Sequence, residues 1–503
     1  MTSPQPYAPV VIVGAGPSGV TAAVLLAQEG VDVIVLDRRA DVFAQPRAVH
    51  LDDEVYRILA RIGVAERFSA ISRPSVGLRL LDARHAVLAE FRRDGDISRH
   101  GHPQANMFDQ PELEALLRAR MLEHPRISFR GGVEVNAVSQ GVDGVRIDLT
   151  ERESGRSETL RASYVLGCDG ANSVVRRSIG ATMQDLRFEQ RWLVVDVNTD
   201  VELHQWEGVH QVCDTERAGT YMRISDRRHR WEFQLGDGET SDDFATVAAL
   251  LPLIEPWVGA VPDGDLELVR VAEYTFRAQL ADRWRDGRVF LLGDSAHLTP
   301  PFIGQGMGAG LRDAANLAWK LAGVIDGTLP ERVLETYEQE RRPHAAQMIR
   351  LAIIVGTAMT RGGRPGDLMR RVVVPRLRLV PGLREKVLDS ATPRLRTTVM
   401  VRRQRWRRGL AGTLCPNLSV DEEARFDDVA DGRFMLLTRH PLDSATTADA
   451  TRRRVGILEV GRDEPLGAWL TKGGADAALV RPDGTVMASG RTANAVLAGL
   501  ARL

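Results

Sequence analysis

Residues 10–19 read VVIVGAGPSG, a run of apolar β-forming residues that leads directly into a glycine-rich turn. Gly14 permits the tight turn, Gly16 lets a pyrophosphate approach the backbone, and Gly19 lets the next helix pack closely on the strand. Ser18 lies in the same turn. The N-terminus of that helix offers free N–H groups and the positive end of its dipole to phosphates. The stretch therefore predicts a strand–turn–helix unit that binds a dinucleotide.

A second apolar strand over residues 31–36 completes this unit and ends at Asp37, which is followed by Arg38. An acidic side chain at this place accepts hydrogen bonds from a ribose diol. The glycine pattern alone is weak evidence, but here the strand, the helix, the second strand and the acid occur together. The complete pattern favours dinucleotide binding over an unliganded unit of the same fold.

Length and charge limit the classes of protein to consider. A chain of 503 residues exceeds one typical core, so about two or three domains are expected. The 66 basic and 67 acidic residues give a net charge of −1, which argues against a nucleic-acid binder. Residues 361–408 are rich in Lys and Arg, but prolines interrupt them and no nucleic-acid motif accompanies them. We interpret this stretch as a solvated linker with helices.

The cysteines and the N-terminus indicate a cytoplasmic protein. Cys168, Cys213 and Cys415 lie far apart and are odd in number, which predicts neither a disulfide framework nor a metal site. Residues 1–9 lack the basic-then-apolar pattern of a signal peptide. No apolar run approaches the roughly 20 residues that cross a bilayer. We therefore expect neither a bound metal nor a membrane partner.

Two later strands also end in loops that combine glycine with an acid. One leads into Asp169, and the other, over residues 289–292, leads into Gly293 and Asp294. The glycine-rich segment 304–308, GQGMG, then precedes a long predicted helix. Unpaired N–H groups at such a helix start could bind an anion or an electron-rich carbonyl. A single Asp–Gly pair, however, is also ordinary turn chemistry.

Two polar residues near these loops allow two interpretations each. Arg47 follows the second strand and precedes a helix predicted over 52–62, so it is either solvated or close enough to reach the dinucleotide or its reductant. Gln110 stands at the start of a helix predicted over 106–120, where it could contact a cofactor or act as a cap. The sequence leaves these alternatives open.

Period-two alternation dominates much of the remaining chain. It predicts a hairpin over 78–93, short strands between 127 and 166, and an antiparallel sheet with one covered face over 192–235. The last region contains three tryptophans, Trp192, Trp206 and Trp231. They suit an aromatic-lined cavity, although core packing explains each of them as well. A smaller unit begins at about residue 411.

The glycine motifs, in this order and spacing, resemble those of the single-component flavin-dependent aromatic hydroxylases with the p-hydroxybenzoate hydroxylase fold. PRAVHLDDEVYRIL at 46–59, WLVVDV at 192–197 and YEQERRPHA at 337–345 most resemble the 3-(3-hydroxyphenyl)propionate hydroxylases and their relatives. The resemblance covers nearly the whole chain. It is specific for fold and cofactor and less specific for substrate.

The resemblance implies an α/β protein of three parts. A Rossmann-like FAD-binding domain is expected over residues 1–182 and 275–395, and the hairpin at 78–93 is expected to join the substrate domain. That domain, an inserted antiparallel β-sheet, is expected over 183–274. A thioredoxin-like domain is expected over 396–503. Since it contains Cys415 alone, a packing or homodimer role is favoured over a redox role.

The resemblance also implies FAD as cofactor, with NADH or NADPH and O2 as co-substrates. Asp37 would hold the adenosine ribose, Asp294 the ribityl chain, and Asp169 would support both FAD and the pyridine nucleotide. The complete implied set is Gly14, Gly16, Ser18, Gly19, Asp37, Arg38, Arg47, Gln110, Asp169, Gly293, Asp294, Gly304, Gln305, Gly306, Met307 and Gly308. Pro301 and the last five of these residues would lie against the isoalloxazine ring, and Arg47 and Gln110 would contact the flavin side of FAD.

The implied reaction hydroxylates a phenolic ring ortho to its hydroxyl, and an aromatic acid like 3-(3-hydroxyphenyl)propionate is the expected substrate. A phenol reacts best as a phenolate, so a base or hydrogen-bond acceptor should assist its deprotonation. The candidates on the substrate sheet are His210, Tyr221 and Arg223. Of these, Arg223 is expected to bind the carboxylate of the substrate. Arg47 and Pro301 complete the expected catalytic set.

Three alternatives remain at this point: a hydroxylase of an uncharged phenol or polyketide-type aromatic, a flavoprotein oxidase or reductase without oxygen insertion, and a FAD-stabilised interaction protein. The sequence also departs from the family twice. Ile303 stands where relatives usually carry a small residue, and Gly308 stands where they usually carry asparagine. Both departures lie beside the expected flavin site.

Overall fold

The computed structural model describes residues 7–45, 47–93, 97–361, 363, 366, 392–403 and 409–500. Most of the arginine-rich stretch interpreted as a linker lies outside these residues. The α-helices span Pro17–Gln28, Asp53–Arg61, Ala65–Ser69, Gln110–Leu122, Val174–Ser178, Val247–Val258, Gly306–Ile325, Glu335–Thr360, Phe426–Ala430, Ser444–Arg452, Pro465–Lys472 and Ala493–Leu497. Among the described residues, none of the helices has both the length and the apolar character needed to cross a bilayer.

The first sheet is built around Tyr7–Val13, the strand that contains the apolar run of the opening motif. It pairs in parallel with Val33–Leu36 on one side and with Ser157–Gly167 on the other. Other elements cover both faces, so most residues of Tyr7–Val13 and Val33–Leu36 are buried, as is usual in parallel sheets. The remaining strands of this eight-stranded sheet are Ile127–Arg130, Val133–Gly141, Gly144–Glu151, Arg285–Asp286 and Val289–Leu291.

The predicted glycine and acid loops meet at the carboxyl edge of this sheet. Val13 is paired with Leu36 and with Gly167, and Gly167 is paired with Leu291. The segments that follow these four residues therefore emerge side by side. Ligands of open α/β sheets bind outside this edge, so the sheet brings the motifs to one place.

Two glycines of the opening motif are required by close backbone contacts. Gly14 has φ +105°, and a Cβ there would overlap the carbonyl oxygen of Cys168. A Cβ on Gly19 would overlap the carbonyl oxygen of Gly14. A side chain at either position would separate the helix Pro17–Gln28 from the strands that it covers.

The second sheet is mostly antiparallel and lies across the carboxyl edge of the first. Its centre is the pairing of Met183–Asn198 with Glu267–Ala281 and Arg228–Gln234. The predicted hairpin is present as Gly77–Leu81 and Val87–Arg92, and it joins this sheet through Val209–Val212. The other two strands of this eight-stranded sheet are Gly219–Arg223 and His297–Leu298.

Both faces of the second sheet are covered, whereas the sequence predicted one covered face. One face packs against the helix Val247–Val258 through a core that includes Trp231, Phe233 and Trp257. The opposite face forms the wall of a large cavity and presents Trp192, among others. The alternation was therefore predicted correctly, but it does not reveal that two different environments cover the sheet.

Two predicted boundaries differ from the structure. The strand Glu267–Ala281 runs through the domain boundary expected at residue 274, because its pairing with Met183–Asn198 continues to Ala281. The helix predicted from residue 106 begins at Gln110 instead. Residues Ala105–Phe108 are all buried and form a strand between His50–Asp52 and Ser72–Pro74. Pairing on both sides there outweighs the helical pattern.

The C-terminal unit contains a four-stranded mixed sheet. Met435–Thr438 pairs in parallel with Gly456–Glu459 and antiparallel with Ala477–Val480, which in turn pairs with Val486–Gly490. Cys415 is fully buried in its core, and burial raises the pKa of its thiol well above the ordinary range. This environment keeps the thiol protonated and shielded.

A buried ionic cluster joins the C-terminal unit to the first part of the chain. The carboxylate of Glu340 accepts hydrogen bonds from Lys320 Nζ at 2.8 Å and from Arg481 Nη1 at 3.0 Å. Arg481 also pairs with Asp483, and Asn316 donates to Glu340 at 2.9 Å. Glu340, Lys320 and Arg481 have no exposed side-chain surface. Such a paired cluster fixes the unit in one position, because separating it would leave charges unpaired.

Candidate active site

A cavity of about 1640 Å³ lies between the carboxyl edge of the first sheet and the wall of the second. The glycine and acid loops border one end of the cavity. Aromatic and aliphatic side chains of the second sheet border the other end. The cavity therefore joins the predicted dinucleotide site and the predicted substrate region in one space.

Asp37 lies at the dinucleotide end, where it also orders the first glycine turn. Its carboxylate accepts hydrogen bonds from the backbone N–H of Ala15 at 2.7 Å and of Arg39 at 2.8 Å. A Cβ added to Gly16 would meet no atom within 4 Å, so the backbone there is open to the cavity. Arg38 also lines the cavity. These features leave room for a pyrophosphate and keep an acid beside it.

Asp294 presents its carboxylate to the middle of the cavity. The side chain is exposed to that space and accepts no hydrogen bond from any residue that the structure describes. Burial of the site as a whole raises the pKa of this carboxyl above its ordinary value. Gly293 turns the chain here with φ +62°, where a Cβ would lie 2.7 Å from Ser18 Oγ. Ser18 thus packs between chain segments, and Asp294 is the group available to a ligand.

Asp169 organises its own loop. Its carboxylate accepts hydrogen bonds from Ser173 Oγ at 2.5 Å and from the backbone N–H groups of Val174 at 2.6 Å and Val175 at 3.1 Å. The residue also lines the cavity. These hydrogen bonds order the loop after Gly167, and the expected contact with FAD and the pyridine nucleotide stays a prediction.

Gln110 positions the segment that contains Arg47. Its side-chain oxygen accepts from the backbone N–H of Arg47 at 3.2 Å and of Ala48 at 2.5 Å, and its amide donates to Glu114 Oε1 at 2.6 Å. The Arg47 guanidinium lies 4.8 Å from the ring centre of Phe43 and lines the cavity. Arg47 is exposed and lines the cavity, so its contact with a dinucleotide or its reductant stays a prediction.

The segment 301–308 closes the cavity between the two ends. Pro301, Met307 and Ile303 line it, and Gly304 turns with φ +61°. The side chain of Gln305 points away from it and donates to Asp52 Oδ2 at 2.8 Å. The backbone of this loop, including Gly306, therefore faces the cavity while its one long polar side chain anchors it.

The position of Gly308 explains the missing asparagine. A Cβ there would lie 2.8 Å from Val55 Cγ2 and 3.0 Å from Arg312 Nη1. The Arg312 guanidinium is held in place by Asp52 and Glu54, both of which are buried. Because this cluster fills the space next to the helix start, no larger side chain fits at residue 308.

The three residues expected to contact the substrate do not line the cavity. His210 accepts from Trp257 Nε1 at 3.2 Å and lies 3.0 Å from the carbonyl oxygen of Trp206, and burial lowers its pKa to about 4. Tyr221 has its hydroxyl 3.0 Å from His229 Nδ1 in the core beneath the helix. Both side chains are on the face opposite the cavity.

Arg223 is likewise unsuited to the expected role. Its guanidinium donates to Glu207 at 2.9 Å and to Glu202 at 3.1 Å. The expectation that it binds a substrate carboxylate is wrong, because two protein carboxylates already occupy it outside the cavity. Tyr221 and Arg223 on Gly219–Arg223, and His210 on Val209–Val212, all lie outside the cavity, so the prediction placed the site on the wrong face of a correctly predicted sheet.

Side chains on the other face of the sheet form the cavity wall. They include Leu78, Leu80, Phe91, Trp192, Val194, Val209, Gln211, Thr220, Met222, Glu232, Tyr274 and Phe276. The ring of Trp192 is 5.6 Å from that of Phe276, which it stacks on, and 5.6 Å from that of Phe302. Of the three tryptophans noted in the sequence, Trp192 lines the cavity, and Trp231 belongs to the core on the other face.

Comparisons with known proteins agree with this geometry. A sequence profile described as "FAD binding domain" matches residues 7–352. A 3-(3-hydroxy-phenyl)propionate/3-hydroxycinnamic acid hydroxylase of Burkholderia cenocepacia is 38% identical over 76% of this chain and 69% of its own length. A probable NADH-specific resorcinol 4-hydroxylase of Rhodococcus jostii is 33% identical over 98% of this chain and 94% of its own length.

The fold is also that of solved hydroxylases. The crystal structure of aklavinone-11 hydroxylase with FAD and aklavinone superimposes with a TM-score of 0.81 at 26% identity. The match covers 98% of each chain. The likeness thus includes the second sheet and the C-terminal unit as well as the dinucleotide end.

Proposed function

The chain belongs to the family of FAD-dependent aromatic hydroxylases, and from this membership we propose that it hydroxylates a monocyclic phenol ortho to an existing hydroxyl with FAD, a nicotinamide and O2. One observation carries the proposal. The glycine loops and the aromatic wall border a single cavity of about 1640 Å³, where a flavin and a ring can meet. Transfer of oxygen to the ring needs such a shared, water-poor space.

The chemistry of the loops fits FAD. The helix Pro17–Gln28 has no side-chain cap among the described residues, so its first N–H groups are free for a pyrophosphate. Asp37 would accept hydrogen bonds from the adenosine ribose. Asp294, which faces the cavity without a partner from the described part of the chain, would accept them from the ribityl hydroxyls. Backbone groups of the segment 304–307 would contact the isoalloxazine ring.

Bound FAD, once reduced by the nicotinamide, supplies an electrophilic oxygen derived from O2. The residues of the chain orient the ring and exclude water. Trp192, Phe276 and Phe302 form an aromatic group on which a flat ring can lie. Arg47 is a cation that lines the cavity, and we assign it to the approach of the nicotinamide.

An uncharged phenol such as resorcinol is the substrate that we favour. The polar side chains on the sheet wall of the cavity are Gln211, Thr220, Glu232, Tyr274, Thr275 and Arg277, and the Arg277 guanidinium already pairs with Glu189. These groups suit hydroxyls better than a carboxylate. The relative described as a probable resorcinol 4-hydroxylase also aligns over nearly all of both chains.

An aromatic acid is a second candidate, and one residue favours it. Arg93 lines the cavity, and its Nε is buried without a hydrogen-bond partner among the described atoms. Its Nη1 donates to the carbonyl oxygen of Ser75 at 3.3 Å, and burial lowers its pKa to about 10. A substrate carboxylate could pair with this cation. The relative named a 3-(3-hydroxy-phenyl)propionate hydroxylase is consistent with that choice.

Product analysis tests the proposal and separates the two candidates. The FAD-loaded enzyme would be supplied with NADH or NADPH, air and either resorcinol or 3-(3-hydroxyphenyl)propionate. We expect a hydroxylated product from resorcinol with higher kcat/KM than from the acid. A higher kcat/KM with the acid would instead support the second candidate, an aromatic acid. NADH or NADPH consumption without any hydroxylated ring would contradict the proposal.

We assign the C-terminal unit, the thioredoxin-like domain of the family, to a packing role. It has one cysteine, Cys415, which is buried and kept protonated. The ionic cluster around Glu340 holds the unit against the rest of the chain. A Cys415→Ser variant with unchanged turnover would agree with this role, and loss of reduction by the nicotinamide would oppose it.

A further inference from the structure

Glu232 is an acidic side chain on the cavity wall, and among the described residues it receives no hydrogen bond. It lies on Arg228–Gln234, between Val194 and Thr220 of the neighbouring strands. Its neighbours Trp231 and Phe233 point into the core on the other face, so Glu232 points into the cavity. Its side chain is 14% exposed. A carboxylate in such a place costs free energy unless a ligand or partner compensates it.

The charged groups around Glu232 offset only part of the free-energy cost of burying its carboxylate. Arg230 Nη1 is 4.0 Å from Glu232 Oε1, but this guanidinium is already bound by Asp196 at 2.7 and 2.9 Å. Arg270 favours the ionised form of Glu232, and Asp196 opposes it. Burial dominates and raises the pKa of Glu232 above its ordinary value. The carboxylate is thus a better proton acceptor than an exposed glutamate.

Thr220 and Gln211, the polar residues beside Glu232, already donate their hydrogen bonds within the protein. Thr220 donates its hydroxyl hydrogen to Gln211 Oε1 at 2.8 Å. Gln211 donates its amide hydrogens to the carbonyl oxygen of Gly219 at 2.9 Å and, more weakly, towards that of Val212 at 3.5 Å. The row formed by Gln211, Thr220 and Glu232 therefore presents hydrogen-bond acceptors to the cavity. A ligand group that binds there must be a hydrogen-bond donor, as a phenolic hydroxyl is.

We propose that Glu232 accepts the proton of the substrate's phenolic hydroxyl, which makes it a catalytic residue of the reaction proposed above. The inference rests on that proposed function. The O–H bond of the phenol breaks, the proton moves to a carboxylate oxygen of Glu232, and the bonding electrons stay on the phenolic oxygen. Electron density then rises at the ortho carbons, one of which takes up the oxygen. That carbon loses its own proton to the added oxygen, which becomes the new hydroxyl, and Glu232 returns the first proton to the original phenolic oxygen.

The geometry also restricts the substrate class. The ring must bring a hydroxyl to the row formed by Gln211, Thr220 and Glu232. An acid whose carboxylate approached the same row would meet a like charge. The class is thus a phenol that presents its hydroxyl to the sheet wall and its ortho carbon to the loop 301–308.

The test compares Glu232→Gln with the matched control Glu273→Gln in the FAD-loaded enzyme. Glu273 lies on the same sheet but pairs with Arg191 at its exposed side. For Glu232→Gln we expect unchanged FAD content and a roughly 100- to 1000-fold lower kcat/KM for hydroxylation. We also expect loss of the acidic limb of the pH profile and continued NADH oxidation that yields H2O2. The control should resemble the wild type.

A second measurement needs no turnover. The absorbance of 4-nitrophenol bound to the oxidised enzyme reports its ionisation as a function of pH. Loss of the nitrophenol proton to solvent leaves two adjacent negative charges when Glu232 is ionised, so this complete ionisation should occur at higher pH in the wild type than in Glu232→Gln. The Glu273→Gln control should show the wild-type curve.

Equal turnover, pH profile and nitrophenol ionisation in the wild type and Glu232→Gln would overturn the inference and leave the proposed function intact. If the wild type holds FAD but hydroxylates no phenol, the proposed function fails. The nitrophenol curves then test the remaining claim, which is that Glu232 contacts a bound phenol. A shift that depends on Glu232 supports the contact with a phenol, and identical curves overturn it.

Discussion

The guanidinium of Arg230 donates a 2.9 Å hydrogen bond to the backbone carbonyl of Arg47. The contact joins the second sheet to the segment that lies beside the cofactor loops. On its other side Arg230 binds Asp196, which is fully buried. One buried side chain therefore links the second sheet to the segment that contains Arg47.

Removal of this side chain should destabilise the protein strongly. Arg230→Met would leave the Asp196 carboxylate buried and unpaired, so we expect a loss of about 3–5 kcal/mol in the free energy of unfolding. Thermal unfolding of the purified protein measures it. The double variant Arg230→Met/Asp196→Leu should recover much of the loss because no charge is left unpaired. A double variant as unstable as the single one would contradict this account.

Arg47 should act in the reductive half of the reaction. Replacing it with Ala should slow flavin reduction by NADH or NADPH far more than the reaction of reduced flavin with O2, because the cation lies at the cavity beside the expected flavin edge. Stopped-flow absorbance separates the two half-reactions. Equal slowing of the two half-reactions would indicate that Arg47 has only a structural role.

Much of this site could be predicted from local sequence. The turn at Gly14 and Gly19, the acid at Asp37 and the loop that ends in Asp294 follow from short-range patterns, since each depends on a strand end and a few residues after it. The structure brings all of them to one sheet edge.

The face of the second sheet could not be predicted in the same way. His210 and Gln211 are neighbours, and both are polar and buried, so alternation identifies two faces without showing which one borders the cavity. That choice depends on the helix Val247–Val258, which covers the His210 face. Long-range packing also determines the space at Gly308, since Val55 occupies part of it and Asp52 holds Arg312 there, and both come from the start of a helix distant in sequence.

Asp294 should contribute directly to FAD affinity. Asp294→Ala removes a charged acceptor for ribityl hydroxyls, which is worth about 1.5–3 kcal/mol, or roughly 10- to 100-fold in the Kd for FAD. Fluorescence titration of the apoprotein with FAD measures it. The exposed Asp265→Ala serves as the control and should bind FAD like the wild type. Unchanged affinity in Asp294→Ala would show that the ribityl contact lies elsewhere.

Asp53 should make stability depend on pH. Burial, with the charge of Asp52, raises its pKa from 3.8 to about 7, so the folded protein holds this proton over a range where the unfolded chain has lost it. The stability that the protonated Asp53 contributes is fully present below about pH 4, and it is lost as the pH rises to 7. Asp53→Asn should therefore be more stable than the wild type at pH 8, by about 2–4 kcal/mol, and nearly equal to it at pH 4. Parallel stability curves from pH 4 to 8 would contradict this.

The central claim, that the cavity transfers an oxygen atom from O2 to a phenolic ring, is tested most directly by isotope labelling. The FAD-loaded enzyme would turn over resorcinol with NADH under isotopically labelled O2 in ordinary water, and mass spectrometry would determine the label in the product. We expect one labelled oxygen atom in each molecule of hydroxylated product and none derived from water. Consumption of NADH and O2 that yields only H2O2 with every phenol tested, or a product oxygen that comes from water, would contradict the account.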